Sequence, residues 1–169
     1  MPRTLITAAV LLAAATAACA PKDDTTPQET TSMSADSVRA MAERYTAAWG
    51  SQDPARVASH FAEEGSLKIN DGAPAVGRAA ITESARGFMT AFPDMVVTMD
   101  SLVARGERWE YHWTLTGTNT GPNGTGNVVR ISGYENWLLA PDGTIRESLG
   151  HFDEAEYERQ LREGPTRRA

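Results

Sequence analysis

From Ser34 onward the apolar positions recur at helical spacing: Val38, Met41, Ala42, Tyr45, Ala48 and Trp49 form one stripe, while Arg39, Glu43 and Arg44 fall elsewhere on the wheel. The spacing predicts a helix that Gly50 stops. Asp53 followed by Pro54 is an N-cap with proline at the first helical position, so a short second helix carrying Val57 and Phe61 is expected to end before Gly65. Ser66 to Asn70 read as a strand that enters the turn Asp71-Gly72-Ala73-Pro74. A third helix is expected from about Arg78 to Ala91, with Ile81, Ala85, Phe88, Met89 and Phe92 on its stripe and Pro93 as its stop. Beyond Pro93 the period changes to two. Residues 95–104, 107–117, 126–140 and 144–152 alternate as strands, and Asp153 caps a last helix that carries Tyr157 and Leu161. Past Gly164 the chain is expected to fray.

Strands joined by short turns pair as antiparallel neighbours, and helices gathered ahead of such a meander cover one face of it. The expected class is therefore α+β, with a curved antiparallel sheet wrapped around the N-terminal helices. A length of 169 residues suits one domain. Apolar residues at 41% and charged residues at 22% place the chain among ordinary globular proteins. The net charge of −6, without a dense basic cluster, argues against nucleic-acid binding. A single cysteine, Cys19, closes no disulfide, and no histidine pair stands at ligand spacing, so neither a metal nor another cofactor is expected.

The segment ahead of the first helix reads as an address. Arg3 precedes an uncharged run from Leu5 to Ala18, which is too short for a permanent membrane span. Thr16-Ala17-Ala18-Cys19 resembles the lipobox of a bacterial lipoprotein precursor, which implies cleavage before Cys19 and acylation of that residue. Ordinary secretory cleavage after Ala18 is the alternative; it would leave an unpaired thiol on an exported protein, so the lipid anchor is favoured. Residues 20–33 are dense in Thr, Pro, Asp and Glu and read as a flexible tether. The expected organisation is a signal peptide at 1–18, acylated Cys19 and tether to 33, a domain over 34–163, and a frayed end at 164–169. The mature chain, with 15 basic and 22 acidic residues, would carry −7 and stand off the membrane of the bacterial cell envelope.

Arg44-Tyr45-Thr46-Ala47-Ala48-Trp49, the later Asp53, and Phe61-Ala62-Glu63-Glu64 resemble the opening of the nuclear transport factor 2-like superfamily. Ala91-Phe92-Pro93-Asp94, the Gly117-Thr118-Asn119-Thr120-Gly121 loop, and Glu135-Asn136-Trp137 ahead of Asp142-Gly143-Thr144 are similar to its SnoaL-like branch. The resemblance implies a conical sheet with a pocket inside, a homodimer, and kinship with polyketide cyclases and ketosteroid isomerases.

Alternation over 126–140 puts Glu135 on one face with Val129, Ile131, Gly133, Trp137 and Leu139. A carboxyl group in that company is desolvated, which raises its pKa; the alternative is a structural pairing with an arginine or at the sheet edge. In the resemblance Glu135 stands where an acid/base or oxyanion-holding acid sits, and Tyr45 where an oxyanion donor sits. Tyr45 also reads as an ordinary core tyrosine. The aspartate base of the isomerases counts to Ile69, with Asn70 and Asp71 next, so isomerisation of the steroid kind is not expected. Asn119 replaces the familiar loop histidine and could orient a ligand without shuttling protons. Trp49 and Trp137 supply apolar ligand contacts, and Ile145, Glu147, Leu149 and His151 share a strand face that could bring a Glu147 and His151 pair to the pocket. The aromatic face of Trp109, Tyr111, Trp113 and Leu115 reads as packing. Two functions follow: a small-ligand-binding or dimerisation module, or a proton-transfer enzyme acting on a small hydrophobic carbonyl compound.

Overall fold

The computed structural model describes residues 33–165; the signal run, Cys19, most of the tether and residues 166–169 lie outside the described residues. Helix α1 (Ala35–Trp49) starts where the side chain of Ser34 accepts from the Ser37 N–H, and it buries all six residues of its stripe. Asp53 caps α2 (Pro54–Ala58). This helix is shorter than its sequence suggests, because Phe61 opens strand β1 (Phe61–Ile69) instead of closing a helix. Phe61 is fully buried in the strand, and a helix stripe would call for the same apolar side chain, so its apolar character alone does not distinguish the two. A two-residue strand, β2 (Ala75–Val76), leads into α3 (Gly77–Ala91), followed by β3 (Val96–Arg105), β4 (Arg108–Thr118), β5 (Val128–Leu139), β6 (Ile145–Phe152) and α4 (Glu154–Glu163).

The sheet order is β2-β1-β6-β5-β4-β3, in a curved sheet that does not close. From β3 to β6 it is the antiparallel meander that the turns imply. The expectation of a wholly antiparallel sheet fails at one seam, where β1 lies parallel to β6. The helix α3 and the meander separate these two strands in the chain, so no local turn fixes their relative direction. Gly65 makes this seam possible: a Cβ there would lie 2.7 Å from the Ile145 carbonyl oxygen.

Two irregularities change which side chains point inward. In β3 the pairing passes from Met99 opposite Trp113 to Ser101 opposite His112, leaving Asp100 as the extra residue. In β6 it passes from Ile145 opposite Leu139 to Glu147 opposite Leu138, leaving Arg146 extra. Beyond that bulge Ser148 and Gly150 are buried, whereas Glu147, Leu149 and His151 turn to the outer face. The core lies between the inner face of the sheet and helices α1 and α3, with Tyr45, Phe61, Tyr111 and Trp137 its largest enclosed side chains.

Candidate functional site

Strand β5 carries a carboxyl group into this core. Glu135 is 6% exposed, flanked on its own face by Gly133 and Trp137, and faces Tyr111 of β4 and Gly150 of β6 across the ladder. Gly150 lies close against it: a Cβ at that position would stand 3.7 Å from Glu135 Cγ, in ordinary van der Waals contact. Three donors converge on the carboxylate. Trp137 Nε1–H donates to Oε2 at 2.8 Å, the Ser148 hydroxyl donates to Oε2 at 2.6 Å, and the Tyr45 hydroxyl donates to Oε2 at 3.0 Å and to Oε1 at 3.2 Å. Oε2 is thus saturated, and Oε1 has only the longer branch of one shared bond.

Burial pushes the Glu135 pKa above the usual carboxylate range, opposed by the hydrogen bonds from Ser148, Trp137 and Tyr45 in that order. All three donors are neutral, so they satisfy oxygen lone pairs without supplying a counter-charge. Burial and the neighbouring Glu135 raise the Tyr45 pKa well above its ordinary value, keeping the phenol protonated as a donor. Tyr45 is held edge-on against Trp137 with ring centroids 5.2 Å apart, and Trp137 stacks on Tyr111 at 4.6 Å. The carboxyl group is therefore fixed by packed aromatic rings as well as by hydrogen bonds.

A cavity of about 50 Å³ lies beside it. Trp49, Leu67, Ile69, Phe88, Val97, Tyr111, Trp113, Leu115, Glu135, Gly150 and Phe152 line it. Glu135 is the one ionisable carboxylate, histidine, lysine or arginine in that lining. The Tyr111 hydroxyl is engaged elsewhere. The Thr46 hydroxyl gives its single proton to the Ala42 carbonyl at 2.8 Å, so Tyr111 is the donor in its 2.7 Å bond to Thr46 Oγ1.

The residues singled out from sequence divide into two groups. Tyr45, Trp137 and Glu135 form one bonded cluster, and Trp49 lines the cavity. The aromatic face of β4, read as packing, also lines the cavity through Tyr111 and Trp113. Glu147 and His151 do not pair at the pocket. The bulge in β6 sends both outward, where Glu147 accepts from Arg108 Nη2 at 2.8 Å and His151 lies 5.0 Å from the Tyr134 ring. Asn119 does not face the cavity either. Its Nδ2 donates to the Ala91 carbonyl at 3.2 Å and its Oδ1 accepts from the Thr125 N–H at 2.8 Å, so the amide braces its own loop against the end of α3. At the place of the isomerase base the cavity meets the aliphatic chain of Ile69, and Asp71 is exposed beyond it. Ser148 was missed because plain alternation from Ile145 puts it outside, and no sequence signal marks the bulge. Among the described residues no group of three or more His, Cys, Asp or Glu side chains could hold a metal ion, and no helix is long and apolar enough to cross a membrane.

The fold has counterparts among solved structures. A proposed SnoaL-like polyketide cyclase from Jannaschia sp. CCS1 superposes with a TM-score of 0.68 at 17% identity, over 79% of this chain and 99% of its own. AclR from Streptomyces galilaeus, a proposed hydroxylase, gives 0.65 at 23% identity over 79% and 89%. A Catenulispora acidiphila DSM 44928 protein of ketosteroid isomerase-like fold, crystallised with trimethylamine, gives 0.63 at 16% identity over 72% and 91%. These likenesses establish the fold. No curated protein matches the sequence. The family model for SnoaL-like polyketide cyclases matches residues 39–161, from α1 into α4, and the chain belongs to that family.

Proposed function

We propose that the domain binds a small, mostly apolar molecule bearing a carbonyl oxygen, without transforming it, and works at the bacterial cell envelope on a tether from acylated Cys19. The pocket observation that carries this reading is a single carboxyl group in an otherwise apolar lining, with Ile69 where a general base would stand. Proton-transfer catalysis needs a group to take a proton and one to return or stabilise it, both within about 3 Å of the reacting atoms. The hydroxyls of Tyr45 and Tyr111 are already donated to Glu135 and Thr46. Binding needs less. A protonated Glu135 carries its proton on Oε1, the oxygen with the weaker existing bond, and donates it to a ligand carbonyl while the aromatic walls cover the rest.

A proton-transfer enzyme is the second reading, favoured by the raised pKa and the underused Oε1 of Glu135. The ketone 1-tetralone separates the two readings in deuterated water. A binding module takes it up, as seen in a raised Tm, and leaves the hydrogens beside the carbonyl exchanging at the buffer rate. An enzyme accelerates that exchange and loses the acceleration in Glu135→Gln. The anchor is supported by the Thr16-Ala17-Ala18-Cys19 run. It is tested by metabolic labelling with a fatty acid: the wild type should acquire label and sediment with membranes, and Cys19→Ser should do neither. An unlabelled wild type would refute the anchor.

A further inference from the structure

A cavity of about 50 Å³ is small beside the roughly 300–1,000 Å³ usual for ligand pockets, so admitting more than a very small molecule requires part of the wall to give way. Most of that wall is firmly held. Trp49 and Phe88 belong to the two long helices packed on the core, and Leu67, Tyr111, Leu115 and Glu135 are buried within paired strands. Phe152 differs, because it is the last residue of β6 and α4 begins two residues later. Its backbone is fixed, opposite Gly133 and with its N–H donated to Asn70 Oδ1 at 3.0 Å. Its ring packs edge-on against Trp113 of the cavity wall at 6.3 Å between centroids, and against Tyr157 of α4 at 5.5 Å.

Helix α4 is built to move as a unit. Asp153 caps its start, Gly164 ends it at a φ of 76°, and its ion pairs Glu156–Arg159, Arg159–Glu163 and Glu158–Arg162 all lie within the helix. None of those pairs ties it to the rest of the domain. It is held instead by the partly buried Tyr157 and Leu161 and by two amide side chains. Gln160, its one buried residue, accepts from the Arg130 N–H at 2.6 Å and donates to the Arg130 carbonyl at 2.9 Å, on the edge of β5 left free beyond the last β6 pair. Asn127 Nδ2 donates to the Leu161 carbonyl at 2.9 Å. Water can take over each of these bonds, and an element held by so few buried contacts opens at a lower free energy than the core. We propose that α4 is a hinged strap: it lifts about Asp153, frees the Phe152 ring to turn out of the wall, and so admits the ligand. The purpose of this motion rests on the binding reading given above, to which it adds the route by which the cavity is reached.

Trp113 Nε1–H is a reporter that needs no ligand. It is buried and has no hydrogen-bond partner, the one such side-chain atom among the described residues, so only the exclusion of water slows its exchange. In the full chain, the α4 amides and Trp113 Nε1–H should exchange into deuterated water faster than the core amides of α1, a result that requires no variant to fold. Gln160→Ala should speed α4 and Nε1–H exchange together by about 10-fold or more, the worth of two ordinary hydrogen bonds, and should raise the association rate of 1-tetralone by the same factor. Exchange of α4 and Nε1–H only at the rate of the α1 amides would overturn the strap. So would a variant whose α4 exchanges faster while Nε1–H, or the association of 1-tetralone, stays at the wild-type rate. Binding of 1-tetralone by neither protein would overturn the binding reading instead, with the exchange rates still deciding the strap.

Discussion

Glu135 and Glu110 lie on opposite faces of the same sheet, on neighbouring strands, and their surroundings act on them in opposite directions. Glu135 points inward to three neutral donors, and burial raises its pKa. Glu110 points outward, accepts from Arg105 Nε at 3.0 Å with His112 Nε2 at 3.5 Å, and the arginine hydrogen bond lowers its pKa. A cation beside a carboxylate stabilises the charged form, whereas neutral donors in an apolar site leave much of the desolvation cost in place. The outer face therefore uses its acids as structural ion pairs, and the inner face holds one acid with high proton affinity beside a cavity. That difference, more than the fold, locates the candidate chemistry.

The strongest way to break the comparison is to remove the inner scaffold. Trp137→Ala deletes a fully buried ring, its stack on Tyr111 and a donor to Glu135, and should cost about 3–5 kcal/mol by chemical denaturation. Ser148→Ala keeps the shape and removes the 2.6 Å donor, at about 1–2 kcal/mol, and should raise the Glu135 pKa further in a carboxyl titration. Breaking an outer pair should do less. Arg108→Ala removes the half-exposed bridge to Glu147 and should cost under about 1 kcal/mol, an effect that shrinks as salt is added.

The pH dependence sharpens the contrast because the two signs differ. A folded pKa above the unfolded value of about 4.3 means that Glu135 contributes stability below that value and loses it as pH rises through the folded pKa. The wild type should thus lose stability relative to Glu135→Gln as pH increases over that interval. For Glu110 the folded pKa is lowered, so its contribution is present above the unfolded value and is lost as pH falls through the folded pKa. Thermal unfolding of Glu110→Gln against the wild type should show the reverse slope, with a smaller amplitude because the group is only partly buried and solvent screens its ion pair.

The sequence made the inner face of β5 and the stripe of α1 legible, because strict period-two and helical spacing placed Glu135 and Tyr45 among apolar residues that must face one core. The caps at Asp53 and Asp153 were legible from their own side-chain chemistry, whereas the Ser34 cap emerged only with the structure. What escaped depended on events that alternation does not record. One extra residue in β6, at Arg146, exchanged the faces of everything after it, so Ser148 entered the site while Glu147 and His151 left it. Asn119 was placed by sequence in a loop near the pocket, but its hydrogen bonds to Ala91 and Thr125 are settled only once the loop is folded. The parallel seam between β1 and β6 joins distant segments with no turn between them. Trp113 read as packing because an indole on an apolar face shows nothing of whether its N–H finds a partner.

The central claim is that Glu135 is an acid whose protonated form the fold favours. Its side-chain carboxyl ¹³C resonance, assigned by its disappearance in Glu135→Gln and followed from acid to alkaline pH, reads this directly. The expected midpoint lies above the ordinary glutamate value of about 4.3. A midpoint at or below that value would show that the three donors outweigh burial, leave Glu135 ionised at neutral pH, and contradict a pocket that greets its ligand with a carboxylic acid proton.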